Sequence, residues 1–222
     1  MTYTGDVSRG SPVAVRELAN AVIRKVAVGP MDNNAYLLSC RRNGAQLLVD
    51  AAGDAGTLLD LVRAGNPAGR LDLVLTTHQH ADHQGALAAV VAATGATTAA
   101  GADDAAGIAV PTVRPVRHGD ELTVGTLTLE VIALRGHTPG SVALVYREPG
   151  GGAHLFSGDS LFPGGVGNTE HDPVRFASLL DDVTRRLFDR FDDAAWVYPG
   201  HGGDTTLGAE RPHLGDWRAR GW

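Results

Sequence analysis

Short apolar runs broken by turn-forming residues dominate the pattern of this chain. Val22 to Val28, Ala35 to Cys40 and Gln46 to Asp50 are separated by Gly29-Pro30 and Asn43-Gly44, which predicts three successive antiparallel strands. Ala55 to Ala64 predicts a helix stopped by Gly65-Asn66-Pro67, and Leu71 to Thr76 is short and apolar enough for a buried strand. Beyond a loop at 77–83, Gly85 to Ala93 is rich in alanine and reads as a second helix.

The rest of the chain repeats this plan in rougher form. Strands are predicted at Thr97 to Ala100, Leu122 to Val124, Leu127 to Ile132, Ser141 to Tyr146 and His154 to Ser157. Val174 to Phe188 then places Phe176, Leu179, Leu180, Val183, Leu187 and Phe188 on one helical face, behind Asp172-Pro173 in cap and first-turn positions. A last strand, Ala195 to Tyr198, runs into Pro199-Gly200-His201. Residues 1–20 lack periodicity and read as an extended arm, and 202–222 as a short polar tail. The 222 residues, without a linker-like stretch, suit a single α+β domain of two sheets packed between helices.

Charge and composition narrow the function classes. With 25 acidic against 19 basic side chains and a formal net charge of −6, no basic field draws the chain onto a phosphate backbone, so nucleic-acid binding is not expected. The one cysteine, Cys40, has no internal partner and reads as a buried strand position in a reduced, cytoplasmic compartment. The first 21 residues lack the apolar core of a signal peptide, and no segment approaches the roughly 20 apolar residues that span a bilayer. Oligomeric state has no signature.

The placement of the nine histidines changes the picture. Directly after the strand ending at Thr76 stands Thr77-His78-Gln79-His80-Ala81-Asp82-His83, three imidazoles and a carboxylate on one loop. Such a set is what a transition-metal site needs. On composition alone, His-x-His-x-Asp-His arises in roughly one chain per thousand of this length. Three further sites set a metal-ligand type beside glycine at the end of an apolar run. These are Gly136-His137-Thr138-Pro139-Gly140-Ser141, Phe156-Ser157-Gly158-Asp159-Ser160 and Tyr198-Pro199-Gly200-His201-Gly202. Glycine lets the backbone turn sharply and leave the next side chain in a shared cleft. Asp50, closing the third strand, reads equally as an acceptor for a ligand imidazole or as a turn cap.

Together with Asn34-Ala35-Tyr36-Leu37 and Leu48-Val49-Asp50, these motifs resemble the metallo-β-lactamase superfamily, and within it the glyoxalase II-like (hydroxyacylglutathione hydrolase-like) enzymes, from about Val22 to His201. The resemblance implies an αββα sandwich with two mixed sheets flanked by helices and metals at the sheet edges. It implies that His78, His80 and His137 hold one ion, that Asp82, His83 and His201 hold a second, and that Asp159 bridges them. Two divalent ions, zinc first, with iron or manganese as alternatives, then share a water as nucleophile for a small-molecule thioester. Asp82 is the candidate to orient that water and take its proton.

The resemblance leaves rival reactions. A lactonase would use the same site, and a persulfide dioxygenase-like oxidoreductase would use one iron. In the glyoxalase II pattern a helical C-terminal extension contacts glutathione; 21 residues follow His201 here, so another thiol carrier is an alternative. Phe162 to His171 reads as a flap beside the cleft. Asn168 and His171 are candidates to touch substrate, although a surface role is preferred for both, as for His118, His154 and His213. Arg135, just before Gly136-His137, either holds an anionic substrate group or covers the surface.

Overall fold

A computed structural model describes residues 3–221. Seven strands form the first sheet in chain order: β1 (Ala14–Glu17), β2 (Ala21–Val28), β3 (Asn33–Cys40), β4 (Gln46–Val49), β5 (Leu73–Thr76), β6 (Thr97–Gly101) and β7 (Arg114–Val116). The first four are antiparallel neighbours, β2 to β4 as expected from their short turns. From β4 onward the pairing is parallel, and the crossovers use α1 (Ala55–Gly65) and α2 (Leu87–Thr94). The second sheet combines β8 (Glu121–Val124), β9 (Leu127–Ala133), β10 (Val142–Arg147) and β11 (Ala153–Gly158) with two later strands. A small hairpin, β12 (Leu161–Phe162) with β13 (Gly165–Val166), precedes α3 (Pro173–Val183), after which β14 (Trp196–Pro199) pairs parallel to β11 and β15 (Thr205–Thr206) closes the edge. Two short helices, α4 (Leu207–Glu210) and α5 (Leu214–Arg220), follow.

The period of two along the strands builds the layers. Leu47, Val49, Leu73 and Leu75 point between the sheets, where they join Leu129, Leu144, Phe156 and Tyr198. Their neighbours Leu48 and Val74 point the other way, onto Leu58 and Leu61 of α1 and Leu87 and Val90 of α2. On the outer face of the second sheet, Ile132, Val145 and Leu155 pack under Phe176, Leu179 and Val183 of α3. The result is the expected αββα sandwich, with strands β5, β9, β11 and β14 all delivering loops to one edge.

Several local expectations need correction. Part of the presumed arm, residues 14–17, is strand β1, an edge strand whose alternating exposure hides half of its pattern; the arm's first two residues lie outside the described ones. The presumed polar tail carries Leu207 and Trp217, both buried against α3. The helix expected to run to Phe188 ends its α-helical part at Val183, and residues 184–188 wind one wider turn. There Thr184 bonds back to the Leu180 carbonyl while the Asp189 amide reaches Thr184, five residues back. Asp172 caps α3 as expected, accepting from the amides of Val174 and Arg175.

His154 is buried rather than on the surface. Its Nδ1 lies 2.9 Å from the Tyr198 hydroxyl, which accepts from Arg16 and so donates to the imidazole. Burial and nearby Arg16 push His154 down to about 4. Between about 6.5 and about 4 the unfolded chain therefore binds a proton that the folded chain refuses. Stability is expected to fall as pH drops through that window, and to fall less steeply in His154→Gln. Urea titrations of both proteins at pH 7.5 and pH 5 check this, and equal losses would contradict it.

Candidate metal centre

All seven candidate ligands converge at the edge where the strands end. The loop after β5 supplies His78, His80, Asp82 and His83; His137 follows β9, Asp159 follows β11 and His201 follows β14. Their donor atoms form the groups His78–His80–His137, Asp82–His83–His201 and His78–His83–Asp159, each within 4.8 Å. Asp159 stands between the first two groups. Its carboxylate lies 3.7 Å from His137 Nε2, and 3.3 and 3.5 Å from Nε2 of His83 and of His201.

Neighbouring groups aim the rings. Nδ1 of His83 donates to Asp50 Oδ2 at 2.9 Å, Nδ1 of His137 to the Asn168 carbonyl at 2.7 Å, and Nδ1 of His201 to the Met31 carbonyl at 3.3 Å. Thr77 Oγ1 gives its proton to Asp50 Oδ2, so it accepts from His78 Nδ1 at 3.0 Å. In all four rings Nε2 is left as the nitrogen facing the centre, able to bind an ion once any proton on it is displaced. Nε2 of His78 and of His137 approach to 3.2 Å, as do those of His83 and His201. Lone pairs that close repel unless a cation or a proton lies among them. Among the described residues, Asp159 Oδ1 is buried with no well-formed hydrogen bond, its near neighbour being His83 Nε2. These donors fit divalent metal ions.

The loops that carry the rings are fixed by buried polar contacts. Asp50 leaves β4 in the left-handed region, at φ 59°, which turns its carboxylate beneath the His78 loop to receive the Thr77 amide and hydroxyl. At Gly200 any side chain would strike Asp159 and His83, so only glycine lets β14 pass under the centre. The start of β3 is stitched to the His201 loop: the Asn34 amide donates to the Gly200 carbonyl, its side chain to those of Pro199 and Gly202, and Tyr36 to that of Pro199. Behind them the only lysine, Lys25, is wholly buried on Asp204 and the carbonyls of Gly5 and Gly202.

Charge is distributed unevenly over the cluster. Burial, helped by neighbouring His83, pulls His78 down to about 2. For His83 burial also opposes charge, but Asp50 and Asp159 outweigh it and lift the imidazole to about 10. Burial likewise works against ionisation of Asp159, yet the imidazoles of His201 and His83 hold it well below the carboxylate range. Asp82, the more exposed carboxylate, accepts from Asn33 Nδ2 at 2.8 Å. Burial raises it, and Asn33 with His83 bring it below its ordinary value.

Beside the centre opens a cavity of about 520 Å³, walled by His80, His137, Gly136, Pro139, Val174 and Arg175 among others. Arg175 clamps its rim, donating to the carbonyls of Gly136 and His137 and pairing with Glu170 at 2.7 Å. Of the residues weighed for substrate contact, Asn168 instead offers its carbonyl to His137, and His171 is exposed on a left-handed turn.

Sequence reading missed three residues of this frame, Lys25, Asn33 and Asp104. Asp104 is fully buried and accepts from the Gln79 amide at 3.0 Å, the Gly140 amide at 2.7 Å and the Thr138 hydroxyl. It ties the loop of the first histidines to that of His137. Its signal was an acidic doublet directly after β6, the position type that singled out Asp50. Asp104→Ala is expected to cost about 3 kcal/mol of stability by stranding these donors, and to weaken divalent-metal binding about tenfold. Chemical denaturation and chelator competition measure the two effects; an unchanged stability would contradict the tie.

A family model described as the metallo-beta-lactamase superfamily matches residues 28–201. A hydroxyacylglutathione hydrolase of Anaeromyxobacter dehalogenans is 39% identical over 176 residues, 77% of this chain and 61% of that protein. The chain spans about three-fifths of the length of the first such relatives it matches. The crystal structure of ETHE1 from Myxococcus xanthus superposes with a TM-score of 0.75 at 28% identity, covering 89% of this chain and 84% of that one. TTHA1623, in a di-iron-bound form, gives a TM-score of 0.65 at 33% identity over 84% of this chain and 96% of its own. Among the described residues no helix is long and apolar enough to cross a membrane.

Proposed function

The chain belongs to the metallo-beta-lactamase superfamily, and from that premise we propose that it hydrolyses the thioester of a small acylated thiol at a centre of two divalent metal ions. The observation that carries this reading is the single cluster of seven donors at the mouth of the cavity, with four imidazoles already turned to present Nε2. His78, His80 and His137 would hold one ion and Asp82, His83 and His201 the other, with Asp159 placed between the two groups. Imidazole and carboxylate donors suit zinc, with iron or manganese as alternatives. The similarity to hydroxyacylglutathione hydrolases supports a thioester as the bond cleaved. We place the reaction in a reduced, cytoplasmic compartment, where the single buried Cys40 stays a thiol.

When bound, the ions supply Lewis acidity for the acyl carbonyl and acidify a water. The protein does the positioning. Asp50, Thr77, Asn168 and Met31 lock four rings in the tautomer that presents Nε2, so little reorganisation is left for the reaction. Asp82 is kept ionised and oriented by Asn33, and its partly exposed carboxylate is the group placed to hold an attacking water and take its proton. The Arg175 clamp keeps the Gly136-His137 backbone at the wall where the acyl group enters.

The likeness to ETHE1 favours a second reading, a persulfide dioxygenase-like oxidoreductase with one iron on part of this donor set. Cleavage of a ring ester, as by a lactonase, would use the same centre. Protein loaded separately with zinc, iron and manganese is expected to release free thiol from acylated thiols, and His80→Ala to release none. Asp82→Asn is expected to lose about 100-fold in rate while still binding metal. No thiol release in any metal form, with lactone opening or persulfide-dependent oxygen uptake instead, would overturn the thioester reading.

A further inference from the structure

A second cavity, of about 250 Å³, lies along the same flank of the molecule as the first. Pro139 lines both, so the two adjoin there. The residues of α3 mark the route. Val174, Arg175 and Ser178 face the first cavity, Asp182 lies farther along, and Arg186, on the wide turn that continues the helix, faces the second. At about 1.5 Å of rise per residue along α3, Asp182 is about 10 Å from Arg175, whose guanidinium touches the His137 carbonyl, and Arg186 lies about one turn beyond Asp182.

The far cavity is basic in an acidic protein. Arg117, Arg135 and Arg186 line it together with His118, against the carboxylates of Asp103 and Asp182. Arg190 and Glu130, which also act on His118, pair with one another and cancel. Three guanidinium groups to two carboxylates leave an excess positive charge. Arg135 engages Asp182 through Nε and one Nη at 2.9 and 3.0 Å, while half of its side chain stays exposed with donors to spare. Between the basic end and the metal centre Pro139 and Val174 give the wall an apolar strip, and Val174 stands there 77% exposed.

We propose that this groove binds the thiol carrier of the substrate, and that the carrier is a long amide arm ending in phosphate, of the phosphopantetheine type. The arm lies along Val174 and Pro139, and its phosphate meets Arg135, Arg117 and Arg186. The span argues for this carrier. About thirteen bonds from sulfur to phosphorus reach about 15 Å when extended, on a scale of about 3.4 Å per three bonds, which falls within the basic cluster. The carboxylates of glutathione, about eight bonds from sulfur at most, reach about 9 Å and stop at its near edge. Arginine offers phosphate a planar, forked set of donors.

This inference rests on the thioester reading for its chemistry, but its test does not. Metal-loaded protein is titrated calorimetrically with S-methyl phosphopantetheine, S-methyl pantetheine and S-methyl glutathione, whose capped sulfurs present no thiol to the metals. The phosphorylated arm is expected to bind about tenfold tighter than the unphosphorylated one, and the preference to vanish in Arg135→Gln and shrink in Arg117→Ala. Arg117 is exposed at the rim, so its replacement leaves the fold intact if the loss of the Arg135–Asp182 pair does not. Equal binding of the two pantetheine arms, a phosphate preference that survives both substitutions, or tighter binding of S-methyl glutathione would overturn the proposal. Thioester cleavage without any phosphate preference would refute the groove and leave the reaction standing; a phosphate preference without thioester cleavage would do the reverse.

Discussion

Four imidazoles brought nitrogen to nitrogen is the constraint on which the rest of this structure depends. Lone pairs 3.2 Å apart and an ionised carboxylate among them do not gather by burial of apolar surface. They are held by partners on their far sides: Asp50 and Thr77 beneath the first loop, Asn168 behind His137, Met31 behind His201. Each partner fixes a ring and its orientation together, and so sets the shape of the site. Asp104 and Asn34 extend the same logic one step outward, from side chains to whole loops.

The sandwich makes such a centre affordable. Its central strands are buried on both faces in three apolar layers, and polar groups are concentrated at the edge where β5, β9, β11 and β14 stop. Buried polar groups are costly unless hydrogen-bonded, and here they are: Lys25 makes three contacts, one of them to the Asp204 carboxylate, and Asp104 accepts three. Both connect elements far apart in sequence. The left-handed Asp50 is a local strain that the surrounding bonds hold in place.

Much of the fold was legible in the chain because apolar runs in strands buried on both faces are continuous and their turns are marked by glycine, proline and asparagine. The ligand residues stood out for a different reason: metal donors of the right type are rare, and here each sits at the end of an apolar run. What stayed hidden depends on contacts between distant segments. Nothing near His154 in the sequence says that Tyr198 and Arg16 will enclose it. Trp217 and Leu207 look polar by their neighbours and are buried by α3. Asp104 resembles any turn aspartate until the Thr138 and Gly140 loop arrives beside it, and the basic groove exists only once Arg117, Arg135 and Arg186 from three elements face one space.

The central claim is that these seven side chains form one centre for two ions. Metal stoichiometry tests it most directly: chelated protein titrated with zinc, iron or manganese, with bound metal measured by elemental analysis after removal of the excess. The account predicts two ions per wild-type chain and one in each of His137→Ala and His201→Ala, which break different triads. One ion per wild-type chain, or two ions retained in both variants, would contradict it.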